Sequence, residues 1–124
     1  MKGVTFDTGA LIGLERRTER MKAVLARIAA RQLPVTIPAV VVAEWYRAQR
    51  DWRRVLGLAK SIEPTTDALA LVAGAALKAT GGRNTIDAIV MASAAQRGDV
   101  VYTSDVPDLQ LLAAAFPDVR ILGA

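Results

Sequence analysis

Two residue types are missing altogether: the 124 residues include no cysteine and no histidine. Without cysteine there is no disulfide framework, no thiolate zinc site and no thiol nucleophile. Without histidine there is no Ser-His-Asp triad, no imidazole acid–base pair and no His metal ligand. Any catalysis must run on carboxylates, hydroxyls, Lys, Arg or a metal held by oxygen ligands. A hard divalent cation such as Mg²⁺ or Mn²⁺ suits that inventory best. Aromatics are scarce as well, with two Trp, two Tyr and two Phe.

Long apolar runs are also lacking. The uncharged stretch Ala68–Leu77 is about half of the ~20 residues a membrane span needs. Asp7 follows Met1 too closely for the apolar core of a secretory signal, so a cytoplasmic location is expected. No repeat or low-complexity linker interrupts the chain. A hydrophobic content of 52% with 23% charged residues excludes intrinsic disorder and predicts one globular domain over residues 1–124.

The net charge of +4 hides an asymmetry. From Arg16 to Lys60 there are eleven Lys or Arg against Glu19, Glu44 and Asp51, a local excess of +8. From Ser61 to Ala124 there are four basic residues against seven acids. Such a division fits a polyanion-binding surface beside a cation-binding one, although solvated helix faces also produce it.

Strand and helix signals alternate. Val4–Phe6 reads as a strand, and Asp7 is placed to cap a following helix. Arg20–Arg31 is amphipathic, with Val24, Leu25 and Ile28 on one side. Pro34–Pro38 is a strand bounded by prolines. Helical propensity covers Ala39–Trp52 and a further helix runs towards Lys60. Ile62 belongs to a short edge strand. Thr65 or Thr66 caps a long Ala/Leu helix that Gly81-Gly82 stops. Asn84 caps the next helix, to about Gly98. Val100–Thr103 is a strand, Pro107–Ala115 a helix and Val119–Leu122 a last strand. This alternation implies an α/β three-layer sandwich: a parallel sheet of five strands covered on both faces. Ligands in such sheets sit outside the carboxyl ends of the strands, where the strand order reverses.

The acids fall at those ends. Asp7 follows the first strand, and Asp105 follows Val100–Thr103. Asp87 stands in the first turn of the helix after Asn84, with Asp108 three residues beyond Asp105. Glu44 interrupts the apolar run Val40–Tyr46, where an uncompensated carboxylate costs several kcal/mol. Each has an ordinary explanation: helix caps for Asp7 and Asp105, a dipole-favoured first turn for Asp87, and a Glu44–Arg47 pair. Convergence is harder to explain that way, because two carboxylates about 4 Å apart repel by roughly 4 kcal/mol at an effective dielectric of 20. Several together need shared protons or a bound cation.

The runs Val-Thr-Phe-Asp7-Thr-Gly-Ala-Leu, Ile-Pro-Ala-Val-Val-Val-Ala-Glu44, Asn-Thr-Ile-Asp87-Ala-Ile-Val-Met-Ala and Tyr-Thr-Ser-Asp105 resemble the PIN-domain ribonucleases, and most of all the VapC-type toxins of bacterial toxin–antitoxin pairs. The resemblance spans essentially the whole chain. It implies a PIN-like sheet in the order 3-2-1-4-5 and a Mg²⁺- or Mn²⁺-dependent endoribonuclease acting on cellular RNA. It also implies a cognate VapB-type antitoxin and a homodimer. By motif position Asp7, Glu44, Asp87 and Asp105 correspond to the acidic quartet, with Asp7, Asp87 and Asp105 as metal ligands. Thr103 matches a supporting hydroxyl, and Asp108 is either a supporting acid or an alternative fourth one.

Related folds fit less well. A phosphoacceptor receiver domain needs an acid pair after its first strand, and a dehalogenase-like site needs an acid where Gly9 stands. A non-catalytic RNA- or protein-binding module on the same scaffold is the alternative from another class. Arg47, Arg50, Arg53 and Arg54, with Trp45, Tyr46 and Trp52, form either an RNA- or antitoxin-docking surface or a core-facing Trp under snorkelling arginines.

Overall fold

Residues 2–124 are described in a computed structural model. Five short strands form one all-parallel sheet: β1 (Val4–Phe6), β2 (Val35–Pro38), β3 (Ser61–Glu63), β4 (Val100–Thr103) and β5 (Arg120–Gly123). Their order is β3-β2-β1-β4-β5, as the resemblance implied. Exposure follows position: β1, β2 and β4 are buried throughout, whereas β3 and β5 are partly exposed at the edges. This is why the central strands read as nearly continuous apolar runs, with Thr and Tyr102 carrying their only polar side-chain atoms.

Between the strands lie α1 (Thr8–Arg16), α2 (Glu19–Arg31), α3 (Ala39–Trp45), α4 (Trp52–Leu56), α5 (Asp67–Thr80), α6 (Thr85–Arg97) and α7 (Val106–Gln110). Caps decide their starts. Asp7, Thr18, Thr66 and Asn84 each accept a backbone N–H from the first turn, satisfying donors that the helix itself leaves open. Gly81 and Gly98 end α5 and α6 in the left-handed conformation, which costs glycine little. The core includes Phe6, Leu11, Met21, Ile37, Val41, Met91 and Leu109, all essentially inaccessible.

Two helices are shorter than the sequence suggested. The helical stretch from Ala39 stops at Trp45 rather than Trp52. There the Gln49 side chain accepts the Arg47 N–H at 2.7 Å and donates to the Trp45 carbonyl at 3.0 Å. It supplies partners that continued helix would otherwise provide. Helix α7 likewise ends at Gln110, followed by a 3₁₀ turn over Ala113–Ala115. Leu109, Leu112 and Phe116, spaced i, i+3 and i+7, still share the core side and leave Leu111 outside.

Helix α6 crosses the sheet and is pinned at its far end by a polar network. Arg97 donates to Asp99 (2.9 Å), Glu63 (2.7 Å), Thr5 (2.9 Å) and Ser93 (2.8 Å). Thr5 in turn donates to Asp99, and Ser93 to Glu63. Thr5, Ser93 and Asp99 are buried. Because the guanidinium is the shared donor, its loss strands two carboxylates with low solvent access. Replacing Arg97 by Leu is expected to destabilise the fold by about 3 kcal/mol, read by urea unfolding. Lys at this position should recover little of the loss, since it lacks the planar fork.

Candidate active site

The strand order reverses between β1 and β4, and the residues leaving these two strands meet there. The Asp7 N–H donates to the Tyr102 carbonyl at 3.2 Å, closing the β1–β4 ladder. The Asp7 carboxylate accepts the Ala10 N–H at 3.0 Å, so it caps α1 as well as facing the crevice. Burial pushes its pKa up, against the opposing effects of the Thr103 hydroxyl and the N–H groups of Ala10 and Gly9. Thr103, fully buried at the end of β4, also accepts the Asp105 N–H at 2.9 Å. One hydroxyl thus ties the exit of β1 to the exit of β4.

The two turns touch directly. A Cβ built on Gly9 lies 1.9 Å from the Ser104 Oγ and 2.8 Å from the Ser104 backbone nitrogen. Only glycine admits this approach. The sequence shows the motif Asp7-Thr-Gly but carries no signal for the partner, which lies 95 positions on.

Glu44 differs from expectation in its surroundings. Val41 and Trp45 turn α3 towards the core, and Glu44 lies on the exposed side. No burial penalty arises there, because a helix of seven residues exposes part of even a mostly apolar run. Arg47 does not pair with it; its guanidinium donates to the carbonyls of Ala43 and Tyr46 at the end of α3. Glu44 instead accepts a short hydrogen bond from the Thr8 hydroxyl. Thr8 was not singled out in the sequence, although it is the residue next to Asp7.

Asp87 is the hinge of the electrostatics. It is half-buried in the first turn of α6, its N–H held by Asn84 at 3.0 Å. Desolvation first, and then the charges of Asp7, Asp108, Glu44 and Asp105, raise its pKa to about 6. Asp108 is raised too, by its hydrogen bond to the Asp105 carboxyl and by that group's charge. Five carboxylates therefore act on one another at one end of the sheet.

None of the five is in an ion pair among the described residues. A set of hard oxygen donors without a neutralising cation fits Mg²⁺ or Mn²⁺ in chemistry. As the side chains stand, no three of them among the described residues are drawn together closely enough to hold an ion.

The basic segment divides. Arg54 donates to the Leu14 and Glu15 carbonyls at 3.3 Å and to Asp51, so it finishes α1. Trp45 is buried and donates to Glu15 at 2.9 Å. Arg47, Arg50 and Arg53 remain exposed, Arg53 lying 4.4 Å over the Trp52 ring. The core-facing reading holds for Trp45 and Arg54 and not for the other three arginines.

A carboxyl whose pKa is raised by folding stabilises the fold while protonated and loses that contribution as pH climbs. For Asp87 the window runs from its ordinary value of 3.8 to about 6. Above it, the charged group is a burden on the metal-free protein. Asp87→Asn is therefore expected to raise the metal-free melting temperature by about 4 °C at pH 7.5, for ~1 kcal/mol after discounting partial exposure. The gain should vanish near pH 4. Thermal melts at the two pH values, with chelator present, check the sign.

Comparison with known proteins extends this picture. The model of the PIN domain family matches residues 4–107. No curated protein matches the chain. Among solved structures, VapBC2 from Rickettsia felis bound to a DNA fragment from their promoter superposes with a TM-score of 0.72 at 12% identity, covering 98% of each chain. DNA-bound VapBC from Salmonella typhimurium gives 0.70 at 17% identity, covering 99% of this chain and 98% of that one. FitAcB from Neisseria gonorrhoeae gives 0.70 at 20% identity over 96% of each. With the family model matched from β1 through the exit of β4, the chain belongs to the PIN domain family.

Proposed function

We propose that residues 1–124 form one PIN domain that acts as a metal-dependent endoribonuclease, the toxin of a VapC-type toxin–antitoxin pair. The observation that carries this reading is the gathering of five mutually repelling carboxylates, unpaired among the described residues, at the switch point of the sheet. A merely structural set of caps would not be concentrated in this way. Asp7, Asp87 and Asp105 would hold Mg²⁺ or Mn²⁺. The ion, when bound, supplies a nucleophilic water of lowered pKa and neutralises charge developing on the phosphodiester.

The chain's own groups do the rest. Thr103 holds Asp7 and the Asp105 backbone in a common frame, so that two ligands from separate strands move together. Thr8 orients Glu44, which has an exposed carboxylate free to accept a proton from the attacking water or to hold a second ion. Hydrolysis joins the water oxygen to phosphorus and breaks one bridging P–O bond, the departing oxygen taking up a proton. Arg47, Arg50 and Arg53 offset the repulsion between RNA and the acids. The similar VapBC structures support a small VapB-type antitoxin as partner, and a homodimer is proposed beside it on the resemblance alone. Among the described residues no helix is long and apolar enough to cross a membrane.

The direct test is cleavage of total RNA by the purified protein with Mg²⁺ or Mn²⁺, with the new ends mapped. Asp7→Asn and Asp87→Asn should each lower the rate by about 10²-fold or more while the protein stays folded, and chelator should abolish it. Wild-type rates in either variant, or cleavage that persists in chelator, would overturn the assignment.

Salt dependence tests the cationic surface separately. On single-stranded RNA and a catalytically dead background, replacing Arg47, Arg50 and Arg53 together by Gln should flatten the log–log salt slope by about two units. Arg54→Gln should leave the slope unchanged and lower stability instead. A slope unaltered by the triple replacement would remove these arginines from the RNA path.

A further inference from the structure

A second cleft adjoins the acids. It encloses about 320 Å³ between the turn at residues 81–84 and the exit of α7, and Asp87 and Asp108 line its inner end. That volume lies at the low end for small-molecule sites and suits one nucleotide rather than several.

Its other walls are chemically distinct. Leu111, next to the buried Leu112, is 67% exposed, a large apolar side chain that the core does not use. In the same lining, Arg83 is exposed and makes no ion pair or side-chain hydrogen bond among the described residues, although two carboxylates share its cleft. Asn84 spends its Oδ1 on the Asp87 N–H, which leaves the two donors of its amide nitrogen. Gly82 keeps the turn close to the leucines: a Cβ there would come within 3.1 Å of Leu112 Cδ2.

An apolar shelf, a neutral N–H donor and a guanidinium, in line with a phosphodiester-cleaving centre, match the parts of a nucleotide. A base would lie on Leu111, a carbonyl on its edge would accept from Asn84, and the phosphate would meet Arg83. Asp87 and Asp108 leave the metal-free lining net negative, so an RNA strand would enter once those acids hold their divalent ion, with Arg83 meeting the phosphate. We propose that this cleft binds the nucleotide next to the scissile phosphodiester, and that Leu111, Arg83 and Asn84 set the base preference at that one position. The inference rests on the nuclease reading above and adds a specificity subsite to it.

The experiment uses single-stranded RNA randomised around the cut, with Mn²⁺. The wild type is compared with the double variant Arg83→Gln/Leu111→Ser, with Asn84→Ser and with Leu111→Trp. Arg83 and Leu111 are exposed, and Ser at position 84 keeps a capping oxygen, so melting temperatures should change little. The double variant should raise KM by about 10-fold with kcat within about 3-fold, and should flatten base preference at a single position. Asn84→Ser should alter preference at that same position. Leu111→Trp should lower KM by about 3-fold through stacking.

Folded variants with unchanged KM and unchanged preference would overturn the subsite. So would unchanged preference together with loss of a dimer by light scattering, which would assign the cleft to a contact between copies. If the wild type cuts no RNA with either metal, the nuclease reading itself fails, and the subsite with it.

Discussion

Repulsion between like charges is the constraint around which this protein is arranged. Burial first, and then the charges of Asp7, Asp108, Glu44 and Asp105, hold Asp87 in part protonated at mild acidity. A fold does not gather acids in this way for stability, because each added charge raises the free energy of the others. The gathering is tolerated because the rest of the molecule is organised to hold it.

That support comes from uncharged groups close by and charged ones farther off. Near the acids, Thr103, Thr8, Asn84 and the N–H groups of Gly9 and Ala10 supply hydrogen bonds without supplying a cation. The carboxylates are positioned and remain un-neutralised, which is the state a divalent ion requires of its ligands. Away from the crevice, Arg97 binds the C-terminal end of α6 to β1, the end of β3 and the start of β4. The same helix carries Asp87 in its first turn. Cation and anion are paired where rigidity is needed and kept apart where chemistry is proposed.

Gly9 shows how little tolerance the crevice has. With the Ser104 Oγ in the place of its missing side chain, the first turns after β1 and β4 form one packed unit. Any added atom would part the strands that carry Asp7 and Asp105. Leu111 illustrates the opposite case. Leu109, Leu112 and Phe116 occupy the core side of their segment, and Leu111, left outside, falls beside the acids.

The sequence by itself determined the elements and the chemistry available. Short apolar runs bounded by caps and glycines place all five strands, since side-chain period and capping are local properties. The absence of Cys and His restricts the site to oxygen donors before any coordinates are known. Position along each strand puts Asp7 and Asp105 at carboxyl ends. The break at Trp45 is made by Gln49, only four residues on, whose local bonds compete with the helix, and the break at Gln110 carries no side-chain signal. The exposure of Glu44, its bond to Thr8 and the bonds of Arg54 to the end of α1 were hidden because those partners meet only after the chain has packed. A single sequence shows which residues a helix contains and not which of its faces a neighbour will cover. Tertiary structure decided that five acids from four separate segments act as one electrostatic group, because Coulomb energy depends on distance in space and not on separation along the chain.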